Sequence, residues 1–270
     1  MRIGNNYLNQ TNRLSNLSNL LLQRSQQLSS GNRLINSAVD PAGFSMAQRL
    51  NTQFRSAYQA VRNIYDGIGA LNVADQGISS INDTIGRMRE LAVRAANDTL
   101  PEEARSAIQE EFNQLRQGIT DTVRNTEYNN QQLLNGEFQV KLPLDASGRN
   151  NLNVEIQDMR PEALNLENID LTTQEGAEAA LTVIDNAAEQ VTNTRTQVGA
   201  YVNRLGTAAE NLLNAAENTG AAEERIAGTD MAKTMAEYLR NQNLQQMTSM
   251  LLTQTGQLNA TSIFNILQSP

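Results

Sequence analysis

Three pairs of adjacent carboxylates, Glu102-Glu103, Glu110-Glu111 and Glu223-Glu224, are the side chains here best suited to acid–base or metal chemistry. Their spacing argues against that use. Neighbouring residues on a helix point apart, so each pair reads as a solvated face. The 270 residues include no His and no Cys. That excludes Ser-His and Cys-His nucleophilic catalysis and zinc sites built on those ligands. Gly67-Ile68-Gly69 is not a phosphate loop, because no strand precedes it and no Lys-Ser/Thr follows. Met231, Met235, Met247 and Met250 suit adaptable packing along a helix better than a cofactor box. We expect no catalytic residue, no metal ligand, no cofactor and no enzyme.

Charge narrows the field further. A net charge of −8 argues against general nucleic-acid binding. Residues 1–39 carry Arg2, Arg13, Arg24 and Arg33 and no acid, while residues 232–270 carry Lys233, Arg240 and Glu237. The ends are therefore nearly uncharged and the middle is acidic. Four arginines so widely spread do not form a polybasic membrane-binding cluster. Leu20-Leu21-Leu22 is far too short to span a bilayer. Met1 to Gln10 lacks the apolar stretch of a cleaved signal. We expect no nucleic-acid partner, no membrane insertion, and export, if any, without a cleaved signal.

Helical periodicity organises the rest. Leu50, Ala57, Ile64, Leu71, Ile78, Ile85 and Ala92 recur every seven residues. Phe54, Val61 and Ile68, then Ala74, Ile81, Met88 and Ala95, form a companion row. This is one long helix with an apolar stripe, about 70 Å of rod at ~1.5 Å per residue. It needs an equally long partner. Leu181, Ile184, Val191, Val198, Val202 and Leu205, with Ala177, Ala188, Ala209, Leu212 and Ala216, supply one; only Arg195 interrupts. A third stripe, Ala104, Ile108, Phe112, Leu115, Ile119 and Val123, follows a helix start at Pro101-Glu102-Glu103. The short connection folds it back antiparallel on the first helix. Thr172 to Glu175 matches a capping box for the long partner.

The ends carry thinner seams. Tyr7, Leu14, Leu21, Leu28 and Ile35, with Leu17 and Leu20, form the first; Leu244, Met247, Leu251 and Leu258 form the second. Gly31 is placed to end the first helix and Asp40-Pro41 to open the next. Breaks are expected at Asn218-Thr219-Gly220 and Ala227-Gly228-Thr229-Asp230. Phe138, Val140 and Leu142, then Leu152, Val154 and Ile156, alternate with polar residues around a turn at 145–150, which predicts a β-hairpin. The expected fold is mainly α: long antiparallel coiled-coil helices, paired N- and C-terminal helices, and a small β-hairpin at the tip.

That nested layout resembles bacterial flagellin. The resemblance rests on Leu28-Ser29-Ser30-Gly31, Ile35-Asn36-Ser37-Ala38 and Asp40-Pro41-Ala42-Gly43, then Arg62-Asn63, Asp66-Gly67-Ile68 and Arg89-Glu90-Leu91-Ala92-Val93. It continues through Leu133-Leu134-Asn135-Gly136, Ile156 to Arg160, and Glu224-Arg225-Ile226-Ala227 with Asp230-Met231-Ala232. Pro41 stands where the usual pattern has a second Asp. The start Met1-Arg2-Ile3 resembles a relative, the hook–filament junction protein, which is the alternative.

The resemblance implies three regions: 1–38 with 232–270 as a terminal coiled coil lining a filament core, 39–135 with 172–231 as an inner rod, and 136–171 as its hairpin tip, with no large outer domain. It implies a secreted subunit that polymerises into a flagellar filament for swimming, outside the cell or in a periplasm. Implied partners are other copies of the chain, hook-associated junction and cap proteins, and the type III export apparatus with an export chaperone. The vertebrate innate flagellin receptor is implied at Arg87, Arg89, Glu90, Leu91 and Glu111, although Gly86 replaces the usual Gln. Two other readings predict different behaviour. A helical adaptor predicts a stable monomer with protected termini; an adhesin predicts ligand binding at the hairpin.

Overall fold

The computed structural model describes residues 2–267, with side chains described for 8–257. In chain order the elements are α1 (Arg2–Ser30), α2 (Pro41–Ala95), α3 (Glu102–Asn125), β1 (Glu127–Tyr128), β2 (Gln131–Gln132), β3 (Gln139–Pro143), β4 (Asn151–Glu155), α4 (Gln174–Ala227) and α5 (Met231–Leu267). The fold is mainly α with small antiparallel β-hairpins. Two compact units divide the chain: Met1–Thr52 with Thr219–Pro270, and Gln53–Asn218.

In the second unit the periodic rows become one core. Val61, Ile64, Leu71, Ile78, Ile81 and Ile85 of α2 are buried with Ile108, Phe112 and Ile119 of α3 and Ile184, Val191, Val198 and Leu205 of α4. Phe54, Ile68, Leu181 and Val202 pack half-buried at its edges; Leu50, also half-buried, belongs to the first unit. Small residues, Ala74, Ala92, Ala177 and Ala187, sit between the larger ones. Antiparallel pairing of α2 with α4 is framed by Asp75–Arg195 at 3.0 Å and Arg89–Asp185 at 2.6 Å. Arg195, the interruption in the α4 stripe, is exposed and reaches sideways to Asp75. These surface pairs contribute about 0–1 kcal/mol each, so the apolar rows carry the packing.

Local chemistry explains the boundaries. Gly31 takes φ +70° and donates its N–H to the Gln27 carbonyl at 2.9 Å, closing α1. The seven-residue row therefore leaves the helix before Ile35. Asp40 Oδ1 caps α2 by accepting from Gly43 N at 2.9 Å. Pro101 occupies the N-cap of α3 rather than its first turn. The capping box also differs from expectation. Thr173 caps α4, accepting from Gly176 N at 3.0 Å, which leaves Gly where the box needs Glu. Thr172 instead bonds Asp170 at 2.7 Å. No break occurs at Asn218-Thr219-Gly220, because α4 runs unbroken to Ala227. A single glycine costs a long, tertiary-packed helix only about 1 kcal/mol.

Between α3 and α4 the chain makes two hairpins. Strand β1 pairs with β2 through Asn129 and Asn130, both at positive φ (52° and 61°), the signature of a two-residue type I′ turn. Strand β3 pairs with β4 in the register Val140↔Val154 and Leu142↔Leu152. Leu142, Leu152 and Val154 join the core. The turn is tied by Asp145, which accepts from the backbone N–H of Ser147, Arg149 and Asn150 at 3.0–3.1 Å. Gly136, at φ +79°, lets Asp158 approach, since a Cβ there would lie 2.9 Å from the Asp158 Cβ.

Both aspartates are tuned by these contacts. The Ser147 hydroxyl, with three backbone N–H groups, holds the Asp145 carboxyl below its ordinary value. Burial pushes Asp158 up, but Arg160 outweighs it through hydrogen bonds and charge and leaves the carboxyl lowered. A depressed folded-state pKa gives stability that is complete above the ordinary carboxylate value. It is lost as pH falls through the depressed one. Acidification below about pH 4 is thus expected to loosen residues 136–160 before the α2–α3–α4 core. Amide hydrogen exchange across β3 and β4 checks this, and Asp145→Asn should flatten the pH dependence. Uniform protection down to pH 2 would contradict it.

Candidate assembly interface

The first unit is built differently. Helices α1 and α5 pair antiparallel, yet among their described residues only Gln27 and Thr234 are buried. The small apolar core of this unit is Leu34, Ala47 and Ala227, with Phe44 and Ile226 against it. It lies at the junction of the connectors, not along the helix pair. There Arg33 N donates to Ala227 O at 2.6 Å and Thr229 N to Gly31 O at 3.0 Å.

The terminal seam residues fall on different faces. Leu14, Leu17, Leu21 and Leu28 are half-buried. Leu244, Met247 and Leu251 are exposed at 40, 61 and 51%. The side chain of Leu258 lies outside the described residues. What α5 turns toward α1 is largely polar: Glu237 meets Arg24 at 2.9 Å, Gln245 Nε2 donates to Ser18 Oγ at 3.0 Å, and Thr255 Oγ1 donates to Gln10 Oε1 at 3.4 Å. Reading the apolar period alone misses this face. Its signal is there in the steps of three and four linking Thr234, Glu237, Asn241, Gln245, Thr248 and Leu252, all buried or half-buried.

The outer faces stay uncovered in the single chain. Leu8, Leu20 and Leu22 of α1 and Met231, Met235, Leu239 and Met250 of α5 are exposed along with the Leu244–Leu251 row. For nearly uncharged helices this is a large unpartnered apolar surface, the mark of an interaction site. It can do no chemistry, but it can bury area against another chain.

The other flagged residues lie in the second unit. Arg87 pairs with Glu111 at 3.0 Å and Arg89 with Asp185, on opposite flanks of α2. Glu90 is exposed, and Leu91 is 6% exposed within the core. Glu102, Glu103, Glu110 and Glu224 are exposed and Glu223 is half-buried. Among the described residues no group of three or more Asp or Glu is placed to hold a metal ion, and no helix is long and apolar enough to cross a membrane.

Comparison with known proteins gives a family for this arrangement. Residues 4–139 match the bacterial flagellin N-terminal helical region, and residues 181–267 match the bacterial flagellin C-terminal helical region. Flagellin from Halalkalibacterium halodurans is 34% identical over 235 residues, covering 86% of each chain. Flagellin from Bacillus subtilis is 31% identical over 294 residues, covering 95% of this chain and 97% of its own. The crystal structure of Bacillus cereus flagellin superposes with a TM-score of 0.52 at 27% identity, over 60% of this chain and 94% of that one. A Vibrio parahaemolyticus chain described as a flagellar hook-associated protein gives a TM-score of 0.59 at 14% identity, over 70% of this chain and 100% of its own. At that identity the likeness speaks for the fold alone. Two family regions matched in order across the helices, and relatives covered along most of their length, lead to one conclusion: this chain belongs to the bacterial flagellin family.

Proposed function

We propose that the chain is the structural subunit of a flagellar filament and polymerises with copies of itself through its terminal helices. The observation that carries this is the terminal pair: two long helices with almost no buried side chain and a row of exposed leucines and methionines. A helix pair that buries so little is marginal alone. It gains stability when neighbouring copies cover its outer faces, so ordering and assembly occur together. Contacts repeated head-to-tail without ring closure generate a helical polymer. The well-packed second unit supplies a rigid body that does not depend on assembly.

Membership of the family supports a wider set of partners under the same proposal. These are the type III export apparatus and an export chaperone at the C-terminal helix, hook-associated junction and cap proteins, and a secreted location at the filament. A vertebrate innate receptor at Arg87, Arg89, Glu90 and Glu111 would meet ion-paired side chains, with Leu91 withdrawn into the core. Absence of binding by monomer in a biosensor titration would remove that partner.

The function itself is tested by electron microscopy of the full-length protein seeded with short fragments of its salt-induced polymer. Long filaments are expected. Growth that stops at short stubs would favour a junction protein, and no growth would overturn the proposal.

A further inference from the structure

The leucine seam of α1 does not fix how α1 meets α5. Leu14, Leu21 and Leu28 recur every seven residues. A slip of seven, or the α5 of a neighbouring copy, therefore meets the same row. The polar contacts do not repeat. Glu237 is the sole acidic residue in α1 and α5. Its Oε2 lies 2.9 Å from Arg24 Nη2. Arg24 Nη1 donates to Gln27 Oε1 at 2.7 Å. Gln27, only 2% exposed, donates through Nε2 to the Arg33 carbonyl at 3.0 Å. Arg33 Nη2 donates in turn to the Ile226 carbonyl at 2.8 Å. One chain of hydrogen bonds thus joins α5, α1, the connector after α1 and the last turn of α4.

We propose that Arg24, Gln27 and Glu237 determine pairing specificity: they hold α1 to the α5 of its own chain in one register. The apolar outer rows are then left free for other copies. A slipped or exchanged pairing strands the Gln27 amide, buried without its partners, and leaves Glu237 facing only uncharged side chains. Polar groups in a helix seam set register in this way, because misalignment costs more than the aligned contact contributes. The rungs at Ser18–Gln245 and Gln10–Thr255 follow the same register. The inference rests on the filament reading for the setting in which the pair forms.

The absence of Cys makes a crosslinking test clean. In the polymerised full-length protein, Ser18→Cys with Gln245→Cys marks the observed register, and Ser25→Cys with Gln245→Cys marks a slip of seven. A short bismaleimide joins them; products within a chain run as monomer on a denaturing gel, and products between chains run as dimer. The observed register should exceed the slipped one about tenfold, the ratio matching one buried hydrogen bond. Adding Gln27→Leu should bring the ratio to within about twofold and raise the dimer band, since the leucine restores packing but no polar tie. Glu237→Gln, at a side chain 36% exposed, should act in the same direction without unfolding the unit. An unchanged ratio in both variants overturns the inference. If the parent Cys proteins fail to polymerise, the filament reading fails, and the same ratio read on the soluble chain decides the pairing claim alone.

Discussion

The double variant Met247→Asp, Leu251→Asp is expected to stay soluble and folded and to fail to elongate. Both side chains are more than half exposed in the single chain, so the folded monomer loses little when they change. In the assembled state they are covered. Burying such a side chain contributes about 1.5–3 kcal/mol, and placing a carboxylate in the covered face is worse than losing the contact. Loss of two contacts alone should raise the critical concentration more than about a hundredfold. Sedimentation of polymer against total protein measures it, with far-UV circular dichroism of the monomer as the control. An unchanged critical concentration would mean that no neighbour covers this row.

Phe112→Ala should act on the other unit. Phe112 is fully buried in the core that α3 shares with α2 and α4. Truncating a buried aromatic there costs about 3–5 kcal/mol, from lost transfer energy and from the cavity left behind. The urea midpoint of the helical core should fall with little change in slope. A loss below about 1 kcal/mol would mean the site collapses around the gap and the packing is looser than its burial indicates. The two variants separate the roles of the units: one stops assembly with the core intact, the other weakens the core with the exposed row intact.

How much of this was legible in the sequence follows from what the residues record. Apolar periodicity over 46 or more positions recorded the long helices, because seams such as Ile64–Leu71–Ile78–Ile85 have no other physical use. Alternation around Asp145 recorded the β3–β4 hairpin. Asn129-Asn130 also carried a turn signal, but flanking strands of two residues are too short to show a period of two. The capping box misled because Thr172 and Thr173 both have the right chemistry and one residue of offset decides which is used. The face of α5 that meets α1 was hidden for a different reason. Its rungs are Glu237, Gln245 and Thr255, and a hydrophobic pattern is blind to polar residues that pack. Gln27 was likewise invisible, since a lone glutamine on a polar helix gives no sign that it is 2% exposed.

The measurement that tests the account most directly is electron microscopy of the full-length chain beside the chain truncated to residues 39–231, under identical seeding. The truncated chain keeps the α2–α3–α4 core and should give a soluble, helical protein that never forms filaments, while the full-length chain forms long ones. Filaments of equal length and number from both would contradict the claim that the terminal helices are the assembly device.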